Sequence, residues 1–359
     1  MRKTDHLYLH VPFCRSICYY CDFCHRIYDE KIADDWLNAL SLQIKEQCKD
    51  NYSTIYIGGG TPTALLDDQL DFLLSLIAPY SNKVLEYTVE ANPDSLSSEK
   101  AAILKSYGVN RVSLGVQTSD EKLLSSLNRH HDFRDVMSAV KILKAAGIDN
   151  ISCDLMYSLP GQDMSSLERS IDDICSLDVP HISIYSLTVE ENTVFGKRHI
   201  ESLDEDTEAD MYDMIRNKLS SLGYRQYEVS NFSKPGFESR HNLGYWDYDD
   251  FLGVSCGASS KIGGHRYTAT RDIRKYISDP FCLDEDLHLD KKDQMFENIM
   301  MSLRKTDGID IAEFNRRYDC DMRMEYAKAV SNSLIMIEDG RLRCKDLALL
   351  NQALLDFLD

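Results

Sequence analysis

The chain has 359 residues, 43% of them hydrophobic, enough for one large core and a smaller attached domain. Its 59 acidic against 40 basic side chains leave a net charge of −19, which opposes binding to phosphate backbones and anionic membrane surfaces and excludes nucleic acid as a partner. An odd number of cysteines (eleven), several in apolar or helical stretches, and a start from Met1 to His6 without an apolar leader core point to the reducing cytoplasm. No apolar run reaches the ~20 residues that span a bilayer, which leaves docking on membrane-bound acceptors open.

Over the first two hundred residues, short β-rich runs alternate with longer stretches of helical periodicity, the pattern of repeated parallel βα units. The predicted strands are Leu7 to Val11, Thr54 to Gly58, Leu85 to Ala91, Arg111 to Val116, Ile151 to Met156 and His181 to Leu187. Helices are expected at Ile32 to Cys48, Gln69 to Ala78, Phe133 to Ala146 and Ser166 to Leu177. Gly147 marks a helix stop, and Ser165 to Glu168 has the form of a capping box after the Pro160-Gly161 turn. Six right-handed crossovers curl a parallel sheet toward a barrel short of the closed eight-unit form. The fold class is therefore α/β, a partial (β/α)6 barrel with a lateral opening. Polar and glycine-rich residues gather just after the strands, at Cys14 to Cys21, Gly58 to Thr63, Glu90 to Asp94, Gln117, Asp154 and Tyr185 to Glu190. That end of such a barrel carries the chemistry.

Beyond Asp204 a long helix is expected up to Leu222, then mixed strands through Lys261 to Thr270, with loops from Pro280 to Asp290. Helices at Lys292 to Arg304, Ile311 to Tyr318 and Arg323 to Asn332 lead to a two-strand ribbon turning at Asp339-Gly340 and a last helix to Leu358. The pattern divides the chain into a barrel over 1–203, an extension completing it over 204–289, and a mostly helical, winged-helix-like C-terminal domain over 290–359.

Cys14, Cys18 and Cys21 follow a 3-then-2 spacing. Thiolates are soft ligands suited to iron-sulfur clusters, and a cubane needs four, so three close cysteines leave one iron open for chemistry. A structural zinc site is the competing reading, but such sites are usually assembled from paired halves at two places in the chain. Cys24 as a fourth ligand would close the open iron, which favours a neighbouring free thiol. His25, His130 and His131 lie near these segments and can be read as surface or cleft residues. Cys48, Cys153, Cys175, Cys282, Cys320 and Cys344 have no ligand partner at local spacing.

The Cys-x3-Cys-x2-Cys run after the first strand, Tyr20 before its last cysteine, and Gly58-Gly59-Gly60-Thr61-Pro62-Thr63 after the second strand resemble the radical S-adenosylmethionine enzymes. The strings Tyr8 to Cys14, Glu90 to Asp94, Gly115 to Thr118, Asn128 to His130 and Asp154 to Gln162 narrow the resemblance to the oxygen-independent coproporphyrinogen oxidase branch, over nearly the whole chain. The resemblance implies a [4Fe-4S] cluster on Cys14, Cys18 and Cys21. It implies S-adenosylmethionine contacts from Tyr8, Tyr20, Gly60, Thr61, Glu90, Gln117, Arg129 and Asp154, with the glycine run letting backbone approach the methionine moiety. Glu90 and Asp154 suit hydroxyl and amino groups, and Arg129 a carboxylate.

Within this branch an enzyme competes with a carrier. The oxidases decarboxylate two propionates of coproporphyrinogen III; the HemW-type relatives are haem chaperones that hand haem to acceptor proteins. The oxidases carry a long N-terminal extension before the cluster motif, which here begins at Cys14, and another cysteine where this chain has Phe23. His241-Asn242-Leu243-Gly244-Tyr245-Trp246 matches a motif associated with haem binding in the chaperones, which implies His241, Tyr245 and Trp246 as the haem residues. An imidazole can ligate haem iron, and aromatic faces suit a porphyrin plane. His241 capping a helix while Trp246 fills core is the structural alternative. Ser259 departs from the histidine often found after Cys256-Gly257-Ala258 in the chaperones. The expectation is a haem chaperone, with oxidase activity as the alternative.

Overall fold

Alternation along six short strands builds the barrel. In chain order these are β1 (His6–Val11), β2 (Thr54–Gly59), β3 (Glu86–Ala91), β4 (Arg111–Gln117), β5 (Asn150–Tyr157) and β6 (His181–Ser186), each paired in parallel with the next. The computed structural model describes residues 4–49 and 51–358; the sequence expectation for Met1 to Lys3 lies outside them. Successive side chains of a strand point to opposite faces of the sheet. One face carries Leu7, Leu9, Ile55, Ile57, Val89, Val112, Leu114, Ile182 and Ile184, all buried in the main apolar core with the helices that follow the strands. The other carries His6, His10, Thr54, Tyr56, Glu86, Glu90, Arg111, Ser113, Asp154, His181 and Ser183. Most of these polar groups are buried too, so the concave side of the sheet is polar throughout its depth.

The helices α1 (Glu30–Gln47), α2 (Asp67–Ile77), α3 (Ser98–Ser106), α4 (Phe133–Ala145) and α5 (Met164–Ser176) cover the apolar face. Gly147 follows α4 with φ 77°, as a helix stop requires. At α5 the expected cap moves: Asp163 is the N-cap, accepting from Ser166 N–H at 2.7 Å while Ser166 Oγ accepts from Asp163 N–H at 3.1 Å. The two-residue earlier start wins because a carboxylate is a strong acceptor for the free N–H groups of a first turn.

Residues after 204 extend the sheet at both ends. After α6 (Glu205–Ser221), strands β7 (Arg225–Glu228) and β8 (Asn231–Ser233) continue antiparallel from β6. The seven-residue α7 (Arg240–Trp246) then leads to β9 (Phe251–Val254), which pairs in parallel with β1 on its other side. β10 (Ser259–Ile262), β11 (His265–Ala269) and β12 (Leu283–His288) follow as an antiparallel run. The order is β12-β11-β10-β9-β1-β2-β3-β4-β5-β6-β8-β7, twelve strands, and no pairing joins β12 to β7 among the described residues. β12 replaces a stretch expected as loop. All six of its residues are exposed, so ladder bonds to β11 hold it and no apolar alternation advertises it.

The C-terminal unit has its own apolar cluster, including Met295, Ile299, Phe314, Leu342 and Phe357. It contains α8 (Lys291–Ser302), β13 (Ile309–Asp310), α9 (Ile311–Tyr318), β14 (Ile335–Glu338) and β15 (Arg341–Cys344). The expected ribbon turns at Asp339-Gly340, both with positive φ, but gains β13 as a third strand. The helix expected over Arg323 to Asn332 divides into two short turns, Met322–Glu325 and Ala327–Val330, broken at Tyr326 with φ −116°.

The cap on α5 is testable. Asp163→Ala should lower unfolding free energy by ~1 kcal/mol in urea titration, and Glu168→Ala by less than half of that.

Candidate functional site

The three-cysteine loop is held at both ends. Phe13–Cys14 runs parallel to Arg26–Ile27, with Arg26 N–H on Pro12 O and Tyr28 N–H on Cys14 O, each at 2.9 Å. From the neighbouring strand end, Gly60 N–H donates to Val11 O and Thr61 N–H to Phe13 O, both at 2.7 Å, and the Thr61 hydroxyl reaches Cys14 Sγ at 3.7 Å. The glycine run makes this approach. A Cβ on Gly60 would stand 2.6 Å from Phe13 O, one on Gly59 (φ 106°) 2.4 Å from the His10 ring, and one on Gly58 2.6 Å from the Glu90 carboxyl carbon. The space that the glycines leave is thus occupied by the protein's own groups, whereas the sequence pattern suggests room for ligand.

Cys14, Cys18 and Cys21 open into a cavity of ≈ 380 Å³ at the strand ends. Tyr20, Gly60, Thr61, Glu90, Gln117, Arg129 and Asp154 line the same cavity. Burial pushes the Cys14 thiol up to about 11 and the Cys21 thiol to about 12. These thiols stay protonated unless metal displaces the proton. Among the described residues no three His, Cys, Asp or Glu side chains converge as ligands of one ion. A four-iron cluster makes a different demand, one thiolate per iron.

The cavity contains unsatisfied groups that fit a polar cofactor. Arg129 donates to Asn92 Oδ1 at 2.8 Å and to the Tyr20 hydroxyl at 3.3 Å, while its Nε is buried without a partner. Gln117 sits at φ 64° where the β4–β5 register shifts, and its Oε1 is also buried and unpaired. One is a charged donor and the other an acceptor, which matches a ligand carrying both a carboxylate and an amine. Glu90 accepts from Tyr56 O–H at 2.7 Å and Gly59 N–H at 2.9 Å; burial nevertheless raises its pKa to about 7. Asp154 accepts from the hydroxyls of Ser113 and Ser152, and burial raises it as well.

The remaining sequence candidates fall elsewhere. Tyr8 and Tyr245 line an adjoining cleft of ≈ 260 Å³ with Cys24 and Ser259, and the Asp22-Phe23 segment borders both spaces. His241 is fully buried, with Nδ1 2.7 Å from Thr54 Oγ1 and Nε2 2.8 Å from the Tyr245 hydroxyl. Trp246 is half-buried beneath the Arg304 guanidinium, its Nε1 unpaired. Cys24 Sγ lies 3.7 Å from Cys256 Sγ, and Ser259 pairs with the Thr268 hydroxyl at 2.9 Å. His25 bonds the Phe23 carbonyl, His131 the Val116 carbonyl, and His130 is exposed.

Several cavity residues belong to none of the sequence motifs, Tyr56, Arg111, Ser113 and Ser183 among them. Tyr56 and Arg111 lie within strands, ahead of the loops where the motifs cluster. The available signal is period two: Tyr56 precedes Gly58 by two, and Arg111 opens an otherwise apolar run.

Residues 8–174 match the Radical SAM superfamily model and residues 289–350 the HemN C-terminal domain. The chain is 39% identical to the Heme chaperone HemW of Lactococcus lactis, over 92% of this chain and 89% of the relative. Its identity to the Bacillus subtilis Heme chaperone HemW is 40%, over 87% and 86%. The Escherichia coli Heme chaperone HemW is 35% identical, over 86% and 84%. Among solved structures, coproporphyrinogen III oxidase (HemN) from Escherichia coli, a radical SAM enzyme, superposes with a TM-score of 0.87 over 99% of this chain and 90% of that one, at 20% identity, which establishes a shared fold. The chain belongs to the HemW family of the radical SAM superfamily.

Gly60→Ala should disrupt the cysteine loop, since its Cβ would meet backbone that cannot swing aside. Iron and sulfide retained per chain after anaerobic reconstitution should fall at least about fivefold, and Gly60→Ser should lose them alike because it adds the same Cβ. Glu90 gives a pH signature. Its folded pKa of about 7 exceeds the ordinary 4.5, so the native state holds that proton more tightly and stability falls as pH rises from 4.5 through about 7. Glu90→Gln should flatten part of that fall, read as urea midpoints at about pH 5 and about pH 8.

Proposed function

We propose that this chain is a haem carrier: it binds haem, transfers it to acceptor proteins, and holds a [4Fe-4S] cluster on Cys14, Cys18 and Cys21 with S-adenosylmethionine alongside. The observation that carries this reading is the likeness to haem chaperones over most of the chain. When bound, the cluster supplies an open iron and an electron to S-adenosylmethionine. The chain's own residues then bind and orient. Arg129 Nε meets the ligand carboxylate, and Gln117 Oε1 accepts from an amine. Glu90 and Asp154 accept from amino and hydroxyl groups, with Tyr20 steadying Arg129. Gly60 and Thr61 hold the cluster loop in place, and Tyr8 belongs to this set only through its position in the motif. The barrel spans 1–203, the haem-motif extension 204–289 and the C-terminal unit 290–359.

The carrier works in the cytoplasm and meets its acceptors there or at a membrane; no helix among the described residues is long and apolar enough to cross one. Haem titration and an oxidase assay on the same anaerobically reconstituted sample test the reading. The expected outcome is about one haem per chain and no conversion of coproporphyrinogen III beside an active control, with Arg129→Ala weakening S-adenosylmethionine binding roughly tenfold. Conversion of coproporphyrinogen III with consumption of S-adenosylmethionine would sink it.

A further inference from the structure

We infer that the haem-iron ligand of this carrier is the phenolate oxygen of Tyr245, with His241 behind it as the partner that takes the phenol proton. The inference rests on the carrier reading above and names the atom that meets the cargo.

His241 is badly placed to reach a porphyrin. It is fully buried and lines neither cavity, and both ring nitrogens have partners. Its neighbours form one continuous hydrogen-bonded row. Tyr245 Oη lies 2.8 Å from His241 Nε2, His241 Nδ1 2.7 Å from Thr54 Oγ1, Thr54 Oγ1 2.7 Å from His6 Nδ1, and His6 Nε2 3.4 Å from Asp249 Oδ2. The far end fixes the direction of every bond. A carboxylate only accepts, so His6 Nε2–H donates to Asp249 and His6 Nδ1 accepts from the Thr54 hydroxyl. Thr54 oxygen then accepts from His241 Nδ1–H, and His241 Nε2 accepts from the Tyr245 hydroxyl. Every proton points from Tyr245 toward Asp249, so the Tyr245 oxygen gives its proton to the row and keeps its lone pairs, and Tyr245 lines the cleft. Gly244 is fitted to this row, since a Cβ there would stand 2.5 Å from the His6 ring.

Tyr8 provides an internal comparison. It faces the same cleft, and its hydroxyl lies 2.8 Å from His10 Nδ1. His10 Nε2, however, donates to the Cys24 carbonyl at 2.6 Å. An amide carbonyl does not take up a proton, so that row is a dead end. The Tyr245 row ends on a carboxylate whose side chain is 46% exposed and can pass a proton to water. When ferric iron binds, one Fe–O bond forms as the Tyr245 O–H bond breaks. His241 takes that proton at Nε2 and releases its Nδ1 proton to Thr54, which passes its own through His6 to Asp249. No electron is transferred.

The cleft suits a porphyrin that must later leave. Phe251 packs against Tyr245 with ring centroids 4.7 Å apart, Phe23 stands 65% exposed at the rim, and Arg271 offers an exposed guanidinium for a propionate. At ≈ 260 Å³ and open to solvent, it accepts part of the macrocycle and leaves part uncovered for an acceptor. Cys24 is the competing ligand, but its thiol is engaged by the Arg271 carbonyl at 3.4 Å and by Cys256.

Full-length protein titrated with ferric protoporphyrin IX, read by resonance Raman and electron paramagnetic resonance, tests the assignment, with circular dichroism confirming that each variant folds. The wild type should show phenolate-to-iron modes and a high-spin signal. Tyr245→Phe should abolish the modes and weaken haem binding at least about tenfold. Tyr8→Phe and Cys24→Ser should keep the modes, and His241→Gln should keep them with weaker binding. An imidazole or thiolate spectrum in the wild type that survives Tyr245→Phe overturns the assignment while leaving the carrier reading intact. Wild-type protein that takes up no haem overturns both.

Discussion

Everything in this molecule is arranged around a sheet whose concave face is polar and buried. Buried polar groups cost free energy unless each finds a partner, and a network only partly satisfied is worse than an apolar core. The barrel meets that demand with bonds across strands: Tyr56 to Glu90, Ser113 and Ser152 to Asp154, Ser183 to Asn231, Thr54 between His6 and His241. Glu86 completes it from below by accepting the backbone N–H groups of Arg240 and His241, which fixes the first turn of α7 against the barrel. Exceptions are spread over the molecule, and some of them fall where a ligand is expected. Gln117 Oε1 and Arg129 Nε are left without partners in the cavity beside the three thiols, and Gln117 adds backbone strain.

This constraint explains the glycine run better than ligand access alone does. Three adjacent residues without Cβ let the Glu90 carboxylate, the His10 ring and the Phe13 carbonyl close against one strand end. The cysteine loop is therefore positioned by backbone bonds from Gly60 and Thr61 as well as by its own short parallel ladder. Side chains on the thiols' far side, Asn92 and Tyr20, then orient Arg129.

The six parallel strands, the helix stop at Gly147 and the turn at Asp339-Gly340 were legible because apolar periodicity and turn chemistry are local signals. That Cys14, Cys18 and Cys21 share one cavity with most of the residues expected beside them was legible because motifs at strand ends converge in this topology. What was not legible is the direction in which each side chain points. Tyr8 matches a motif two residues from buried His10, yet it opens on the neighbouring cleft, because only the paired register decides which space a lumen residue meets. His241 stood out as a ligand by type, but its burial depends on Thr54, Tyr56 and Tyr245, which no spacing rule joins. Tyr56 and Arg111 were hidden inside strands, and β12 was hidden because ladder bonds leave no hydropathy trace.

The parallel pairing of β1 with β9 joins Leu9 to Val254, across most of the chain. During synthesis β1 emerges first and β9 about two hundred and forty residues later, so one edge of the barrel stays open for most of translation. The strand that delivers the cysteines is the one left waiting, and its last neighbour arrives only with the segment that follows His241 to Trp246. Closing so distant a contact is slow. The order of synthesis therefore makes the two sites reach their final shape together, and a ribosome-bound chain truncated before β9 has neither the finished cysteine platform nor the cleft beside it.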